Sequence, residues 1–467
     1  MYSRQSRFLA AVSVSLILIF SRGLLAAENT FARQFKSGDS VCAVGDSITH
    51  GGSYHKYIYL YYATRFPDVK FDMYNCGISG DTSWGIQSRV DSDILNHKPT
   101  ISSIMLGMND INIWLYDANK TSPEDIAKQD EQIKKYMENM DKLASRLKAG
   151  GSELIFITPS IYEDTAKLES HSCVGANGGL GKCAEKVKEL AKKYDAAVVD
   201  FYSPMTAIDL AQQQSNPEFT LVGGDRVHPG DVGHFVMAYE FLKTQNVPQL
   251  VSSVIIDAGM PKKVKVENTE ISFIEISDEN IKFKLHDRAL PMPVGNESKK
   301  ALELVPFMAE MNQQILQIKN MASGDYEILM DGQIVDTVSS QKLSEGINLA
   351  ENVNTPMYKQ ALVVADLNNQ RWLKERDIIR NIIAKEFYAA NSGVDVTNFE
   401  AMKAYLLADL EKHNGKESYN WVKGGVDSYI ENKPKMEEVK KEIADLTAAM
   451  YEKNKPAMYE YVIRKKQ

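Results

Sequence analysis

SVCAVGDSITHGG, residues Ser40–Gly52, is the stretch whose reading decides the fold. A short apolar run, Val41-Cys42-Ala43-Val44, breaks at Gly45-Asp46-Ser47, and an aromatic helical pattern opens near Tyr54. This is the pattern of a buried strand that delivers a serine to its carboxyl end, where a helix takes over. In open α/β sheets that end is where chemistry sits. Ser47 is therefore a candidate nucleophile, and its partners are expected further along the first half of the chain.

Working outward, the same pattern repeats. Tyr54–Phe66 reads as a helix whose tyrosines belong to the core rather than to a sugar-stacking surface. A second strand, Val69–Cys76, ends in Gly77-Ile78-Ser79-Gly80-Asp81-Thr82, and a helical stretch then runs to about His97. A third strand, Ile101–Leu106, runs into Gly107-Met108-Asn109-Asp110. Ser122 caps the next helix, Pro123 fits its first turn, and Gly150-Gly151 ends it. Strands at Leu154–Thr158 and Ala196–Phe201 enclose a long loop and a helix Ala184–Tyr194. Asp225-Arg226-Val227-His228-Pro229 opens a last helix through about Leu242. Strands alternating with helices predict a parallel sheet covered on both faces. Five strands suit a flavodoxin-like, doubly wound α/β/α sandwich.

The character changes near Pro248. Val264–Leu285 alternates with period two, Ala301–Met321 reads as helical, and Tyr326–Leu343 reads as a hairpin turning at Asp331-Gly332. Beyond Thr355-Pro356 the periods are helical, over Gln360–Tyr388, Asn398–Lys412 and Lys433–Lys465. The reading divides the chain at 1–27, 28–247, 248–357 and 358–467, as leader, α/β domain, β-rich accessory region and helical C-terminal region.

At the start of the chain Arg4 and Arg7 stand ahead of the apolar run Phe8–Phe20, with small residues at Ala26-Ala27. That is a secretory signal with cleavage after Ala27; an uncleaved anchor is the alternative. Losing Arg4, Arg7 and Arg22 would move the formal charge from −8 to −11. A chain this acidic, with no basic stripe, is a poor nucleic-acid binder. No later stretch is apolar and long enough to span a membrane. Export would place Cys173 and Cys183, which flank a glycine-rich segment, in an oxidising compartment as candidate disulfide partners. Cys42 and Cys76 lie in strand patterns and read as buried thiols.

A serine hydroxyl needs a base, a group that orients the base, and donors for the developing oxyanion. His228 can be the base, and Asp225, three residues earlier, can fix its tautomer. The N–H of Ser47, a glycine N–H after the second strand and the Asn109 amide can hold the oxyanion. His50 and His55 are read as local structure or polar lining, and His234 as packing. No metal or cofactor motif is present.

Together GDSITHGG, NCGISGDT, LGMND and DRVHP resemble four blocks of the SGNH hydrolases, also called GDSL-type esterases. The resemblance spans Ser40 to Leu242. It implies an α/β/α fold with a five-stranded parallel sheet and an acyl-serine mechanism without a metal. On its blocks Ser47 matches the nucleophile and an oxyanion donor, Gly80 the oxyanion glycine, Asn109 the oxyanion asparagine, and Asp225 and His228 the acid and base. Gly77 is the lesser claimant for the glycine role. The segment YEILMDGQIVDTVSSQKLSEGINLAENVNTP resembles, more loosely, a C-terminal extension of some exported bacterial members linked to carbohydrate breakdown.

The expected function is an exported, periplasmic or extracellular serine esterase acting on short acyl, chiefly acetyl, esters of carbohydrate. A lysophospholipase or acyl-thioesterase is the first alternative. An inactive carbohydrate- or partner-binding scaffold is the second.

Overall fold

A computed structural model describes residues 31–260, 263–277 and 280–467. The leader reading at residues 1–27 lies outside them. Five strands, β1 (Ser40–Gly45), β2 (Asp72–Gly77), β3 (Ile101–Met105), β4 (Glu153–Ile157) and β5 (Ala197–Val199), form one parallel sheet in the order β2-β1-β3-β4-β5. This is the expected doubly wound order. The register places Gly45 level with both Gly77 and Met105. The loops carrying Ser47, Gly80 and Asn109 therefore leave the sheet at one level. That shared level is what positions the site.

The helices of this half are α1 (Ser47–Gly51), α2 (Ser53–Arg65), α3 (Pro123–Ala149), α4 (Ala176–Tyr194), α5 (Tyr202–Gln213) and α6 (Asp231–Thr244). Ser122 caps α3 as expected, its hydroxyl accepting from the Asp125 N–H while the Asp125 carboxylate accepts from the Ser122 N–H. α2 is buried on all sides. Tyr54, Tyr57, Tyr59, Tyr61 and Tyr62 are all core residues. A helix apolar all round has to be covered on both faces. The sheet side covers one face of α2, and elements from beyond residue 248 cover the other: the Tyr61 hydroxyl donates to Pro248 O and Met311 O, and Asn368 donates to Lys56 O.

Two local expectations in this half are corrected. The stretch from Thr82 to His97 is a chain of short 3₁₀ and π turns rather than one helix. Its Arg89 and Asp93 turn inward as a buried pair, and Arg89 also donates to Cys76 O and Gly45 O. The glycine-rich segment after Cys173 is helix rather than loop, so α4 starts at Ala176 instead of Ala184. Its glycines make room for two tyrosines: a Cβ at Gly179 would lie 2.5 Å from the Tyr116 hydroxyl, and one at Gly181 would lie 2.6 Å from that of Tyr202. Cys173 and Cys183 are not bonded to each other. All four cysteines are free and buried.

The second half adds two sheets. β6 (Leu250–Asp257), β7 (Val264–Glu267), β10 (Gln313–Lys319) and β13 (Ile347–Asn348) run in the order β13-β10-β6-β7. β8 (Thr269–Ile276), β9 (Asn280–Asp287), β11 (Asp325–Met330), β12 (Gln333–Ser339) and β14 (Met458–Lys465) run in the order β12-β11-β14-β9-β8. The β11–β12 hairpin turns at Asp331-Gly332, both at positive φ, as expected. Two stretches expected to be helical are strands. In β10, Gln314, Leu316 and Ile318 are buried in alternation, so only α7 (Phe307–Met311) and a 3₁₀ turn remain of that helix. β14, Met458–Lys465, completes a sheet between β9 and β11. The remaining helices are α8 (Ser340–Glu345), α9 (Pro356–Lys374), α10 (Asn381–Asn391), α11 (Phe399–Glu411), α12 (Tyr419–Asn432) and α13 (Met436–Lys453), with a π turn at Glu375–Arg380 between α9 and α10. One apolar core runs from Ala32 to Ile463, and a small second one joins α10, α11 and α12. Among the described residues no helix is long and apolar enough to cross a membrane.

Candidate active site

Ser47 is the first residue of α1, directly after Asp46, whose carboxylate accepts from the Ile48 N–H at 3.0 Å. The Ser47 hydroxyl lies 2.8 Å from His228 Nε2, and His228 Nδ1 lies 2.6 Å from Asp225 Oδ2. The other Asp225 oxygen accepts the N–H groups of Val227 and His228, each at 3.0 Å. Partial burial pushes the Asp225 carboxyl upward, but the His228 ring and these N–H donors outweigh it and hold Asp225 below the usual carboxylate range. An ionised Asp225 keeps a proton on Nδ1 and leaves Nε2 to accept from the serine. The arrangement can remove a proton from Ser47 as its oxygen attacks an electrophile.

The loop holding Asp225 and His228 is pinned by the residue between them. Arg226 takes a positive φ of 66° and buries its guanidinium among the carbonyl oxygens of Glu163, Ala166, Leu168 and Ser170. Arg226 is not marked for this role by the sequence pattern around it. Its only signal was a strongly charged residue inside an otherwise functional tetrapeptide.

Gly80 sits at φ +80° in the loop after β2, and among the described residues no acceptor faces its N–H or that of Ser47. The Gly77 N–H, in contrast, donates to Asn75 Oδ1 at 3.0 Å. Asn109 Nδ2 donates to Asp81 O at 2.9 Å, so the asparagine is tied to the Gly80 loop. Ser83 adds a second tie, its N–H and hydroxyl both donating to Asp110. Beneath these loops lie three buried carboxyls. Burial pushes Asp46 up to about 7 and Asp110 up to about 6, and it raises Asp81 even against its ion pair with Arg89.

The hollow above the serine measures about 220 Å³. Ser47, His50, Ser79 and His228 form one side of it, and Arg376, Asp377 and Asn381 form the other. The second wall belongs to the C-terminal half, from the π turn and the start of α10. No pure hydrocarbon side chain lines the hollow. Gly80 and Asn109 are not among the residues that line it. A larger cavity of about 710 Å³, between the outer edge of β2 and α9 and α13, holds none of the site residues. His50 is buried and pushed down to about 4, by burial first and by the Arg380 and Arg376 charges next, so its ring is neutral. His55 and His234 are buried away from the hollow, His234 stacked on Tyr54, in keeping with the packing reading. Among the described residues no group of three or more His, Cys, Asp or Glu side chains is arranged to hold a metal ion.

The wall residues escaped the sequence analysis, although α9 carries a signal. Its inner stripe runs Ala361, Val364, Asn368, Arg371 and on to Glu375, at helical core spacing but turning from apolar to charged. A charged core stripe has to meet buried polar groups.

The GDSL-like lipase/acylhydrolase family model matches residues 43–235. A solved structure described as a gut microbial diltiazem-metabolizing enzyme is 31% identical, with a TM-score of 0.85, over 94% of this chain and all of that one. The chain belongs to the SGNH hydrolases. This hydrolase is also 25% identical over 223 residues to an acetylxylan esterase of Geobacillus stearothermophilus, a match spanning 44% of this chain and 94% of that protein. It is an ester-hydrolysing serine hydrolase, and the likeness at 31% identity extends through both halves of the chain.

Proposed function

We propose that this SGNH hydrolase is an exported esterase that removes acetyl and other short acyl groups from carbohydrate. Ser47 is the nucleophile, His228 the base and Asp225 the acid that orients it. The Ser47 N–H, the Gly80 N–H and Asn109 Nδ2 receive the oxyanion. Ser47 Oγ attacks the ester carbonyl as its proton passes to His228 Nε2. The tetrahedral oxyanion collapses, and His228 returns the proton to the departing alcohol. Water then attacks the acyl-serine with His228 again as base, freeing the acid and the serine. The mechanism calls on no metal or cofactor.

The hydrogen-bonded line from Ser47 Oγ through His228 to Asp225 supports these roles. The free N–H of Gly80, against the occupied N–H of Gly77, supports the choice of glycine. The small polar hollow supports the substrate class: it has room for a short acyl group and no apolar groove for a long one, which disfavours the lysophospholipase and long-chain thioesterase readings. Trp84 and Trp114 stand exposed on the Gly80 and Asn109 loops and offer flat faces to a sugar ring. One relative is named for acetylxylan. Export rests on the pattern of residues 1–27.

Ser47→Ala should lower kcat on p-nitrophenyl acetate by roughly a thousandfold or more with an unchanged circular dichroism spectrum. Undiminished turnover would remove Ser47 from the role. On wild-type enzyme, p-nitrophenyl acetate should be preferred over the octanoate, and acetylated xylo-oligosaccharide should release acetate. Preference for the octanoate would transfer the assignment to the long-chain reading.

A further inference from the structure

Three side chains from one short segment of the C-terminal half grip the backbone that leads to Gly80. Glu375 Oε1 accepts from the Asn75 N–H at 2.8 Å. Arg380 Nε and Nη2 donate to Gly77 O at 3.1 and 2.9 Å. The Tyr388 hydroxyl donates to Ser79 O at 2.5 Å. Asn75 and Gly77 share one edge of β2, because strand geometry repeats every two residues, and Ser79 stands in the turn that follows the strand. The π turn widens the helix to an i→i+5 pattern, which sets Glu375 and Arg380 on one side. Arg380 is itself buried and held by Asp93, at 2.6 and 3.0 Å.

The last of these contacts has a chemical consequence. The carbonyl of Ser79 and the N–H of Gly80 belong to the same peptide unit. A trans peptide is planar, with C=O and N–H pointing in opposite directions. Fixing Ser79 O on the Tyr388 hydroxyl therefore fixes the direction of the Gly80 N–H, away from Tyr388. Donation into the carbonyl also polarises the unit and makes the N–H a stronger donor. The other end of Ser79 is held too: its N–H donates to His50 Nδ1 at 3.2 Å, which the neutral His50 ring can accept. The absence of a side chain at Gly80 leaves room for the tyrosine: a Cβ there would lie 2.9 Å from the Tyr388 oxygen.

We infer that Tyr388 is a positioning residue for the oxyanion hole, aiming and polarising the Gly80 N–H from the C-terminal half. The inference rests on the proposed role of Gly80 as an oxyanion donor. It makes the region beyond residue 358 part of the reaction machinery as well as a wall of the hollow.

Tyr388→Phe removes the hydroxyl and keeps the ring. Rates are expressed per active site, titrated with a fluorophosphonate, so that any misfolded fraction drops out. Loss of a whole oxyanion donor costs about 10²- to 10³-fold, and loss of its positioner should cost about tenfold in kcat on p-nitrophenyl acetate, with KM within about twofold. The second readout is binding of an alkyl trifluoromethyl ketone. Ser47 Oγ bonds to its carbonyl carbon, the C=O π pair moves onto the oxygen, and the serine proton passes to His228, which leaves an oxyanion in the hole. Its affinity should fall in step with kcat. A per-site kcat within twofold of wild type, a change in KM alone, or unchanged ketone affinity would each overturn the inference. Ser47→Ala run alongside separates the two levels. Full activity in that variant sinks the mechanism itself, whereas an inactive Ser47→Ala beside an unaffected Tyr388→Phe sinks only the role of the tyrosine.

Discussion

Asp209 and Glu163 face each other beneath the loop that carries His228, and burial favours a proton held between them on Asp209. Asp209 accepts from the Leu221 N–H, and the Glu163 backbone exchanges hydrogen bonds with Arg226. Burial, and then the neighbouring Glu163 carboxylate, push Asp209 up to about 8. Burial also raises Glu163, but the Asp209 proton and nearby N–H and hydroxyl donors outweigh it and hold Glu163 below its usual range. The sign for Asp209 follows from linkage. Its folded value lies above its unfolded one, so the folded state keeps a proton that the unfolded chain releases, and stability is lost as pH rises from about 4 towards 8. Asp209→Asn mimics the protonated form and removes that loss. Relative to wild type, the variant should gain up to about 1.4 kcal/mol per pH unit across that window. Urea titrations at pH 5, 6 and 7 measure the difference directly. A difference that stays flat with pH, or that falls as pH rises, would contradict the proton held on Asp209. At this scale the sequence was most informative for Ser47, Asn109, Asp225 and His228, because each follows a strand or opens a helix in the local pattern. Tyr388 and Arg376 had no such marker. Their contacts with Ser79 and the hollow cross roughly 300 residues, and nothing in their own neighbourhood points there.

β14 shows how an element can mislead a local reading. Met458–Lys465 follows a long charged helix, and its residues extend the helical count when read alone. Its conformation is decided by β9 and β11, which leave a gap that only a strand fills. Val462 and Ile463 face opposite sides of the sheet, and Tyr461 stacks on Phe283 with ring centroids 5.0 Å apart. Ile463 is fully buried, whereas the next residue, Arg464, is exposed and pairs with Glu327. Ile463→Ala should therefore cost about 2–4 kcal/mol, and Arg464→Ala less than about 1 kcal/mol. Chemical denaturation of the two variants checks the pair, and equal small losses would contradict the strand. β10 fails the same way, its alternation hidden by a glutamine, Gln314, at a buried position. The helices with strong local signals, such as α3 with its capping box, were legible to within a residue.

Across the whole molecule, α2 carries a tyrosine-rich pattern because two halves of the chain close on it. An α/β sandwich alone would leave one face of that helix in water, and here both faces are covered. The same closure places Arg376, Asp377 and Asn381 opposite Ser47, and seats Glu375, Arg380 and Tyr388 on the strand that leads to Gly80. The doubly wound half was legible because each of its strands is a local apolar run. The closure was not, since it depends on which charged residues of the π turn after α9 meet which backbone groups of β2. The account's central claim is that Ser47 is the atom that attacks the ester. Reaction of the full-length enzyme with a fluorophosphonate, followed by intact-mass and peptide analysis, tests it most directly. One phosphonyl group should appear per chain, on the peptide containing Ser47, with esterase activity lost in proportion and no adduct on Ser47→Ala. Stoichiometric labelling of Ser47→Ala, or a wild-type enzyme that stays fully active while labelled at Ser47, would contradict it.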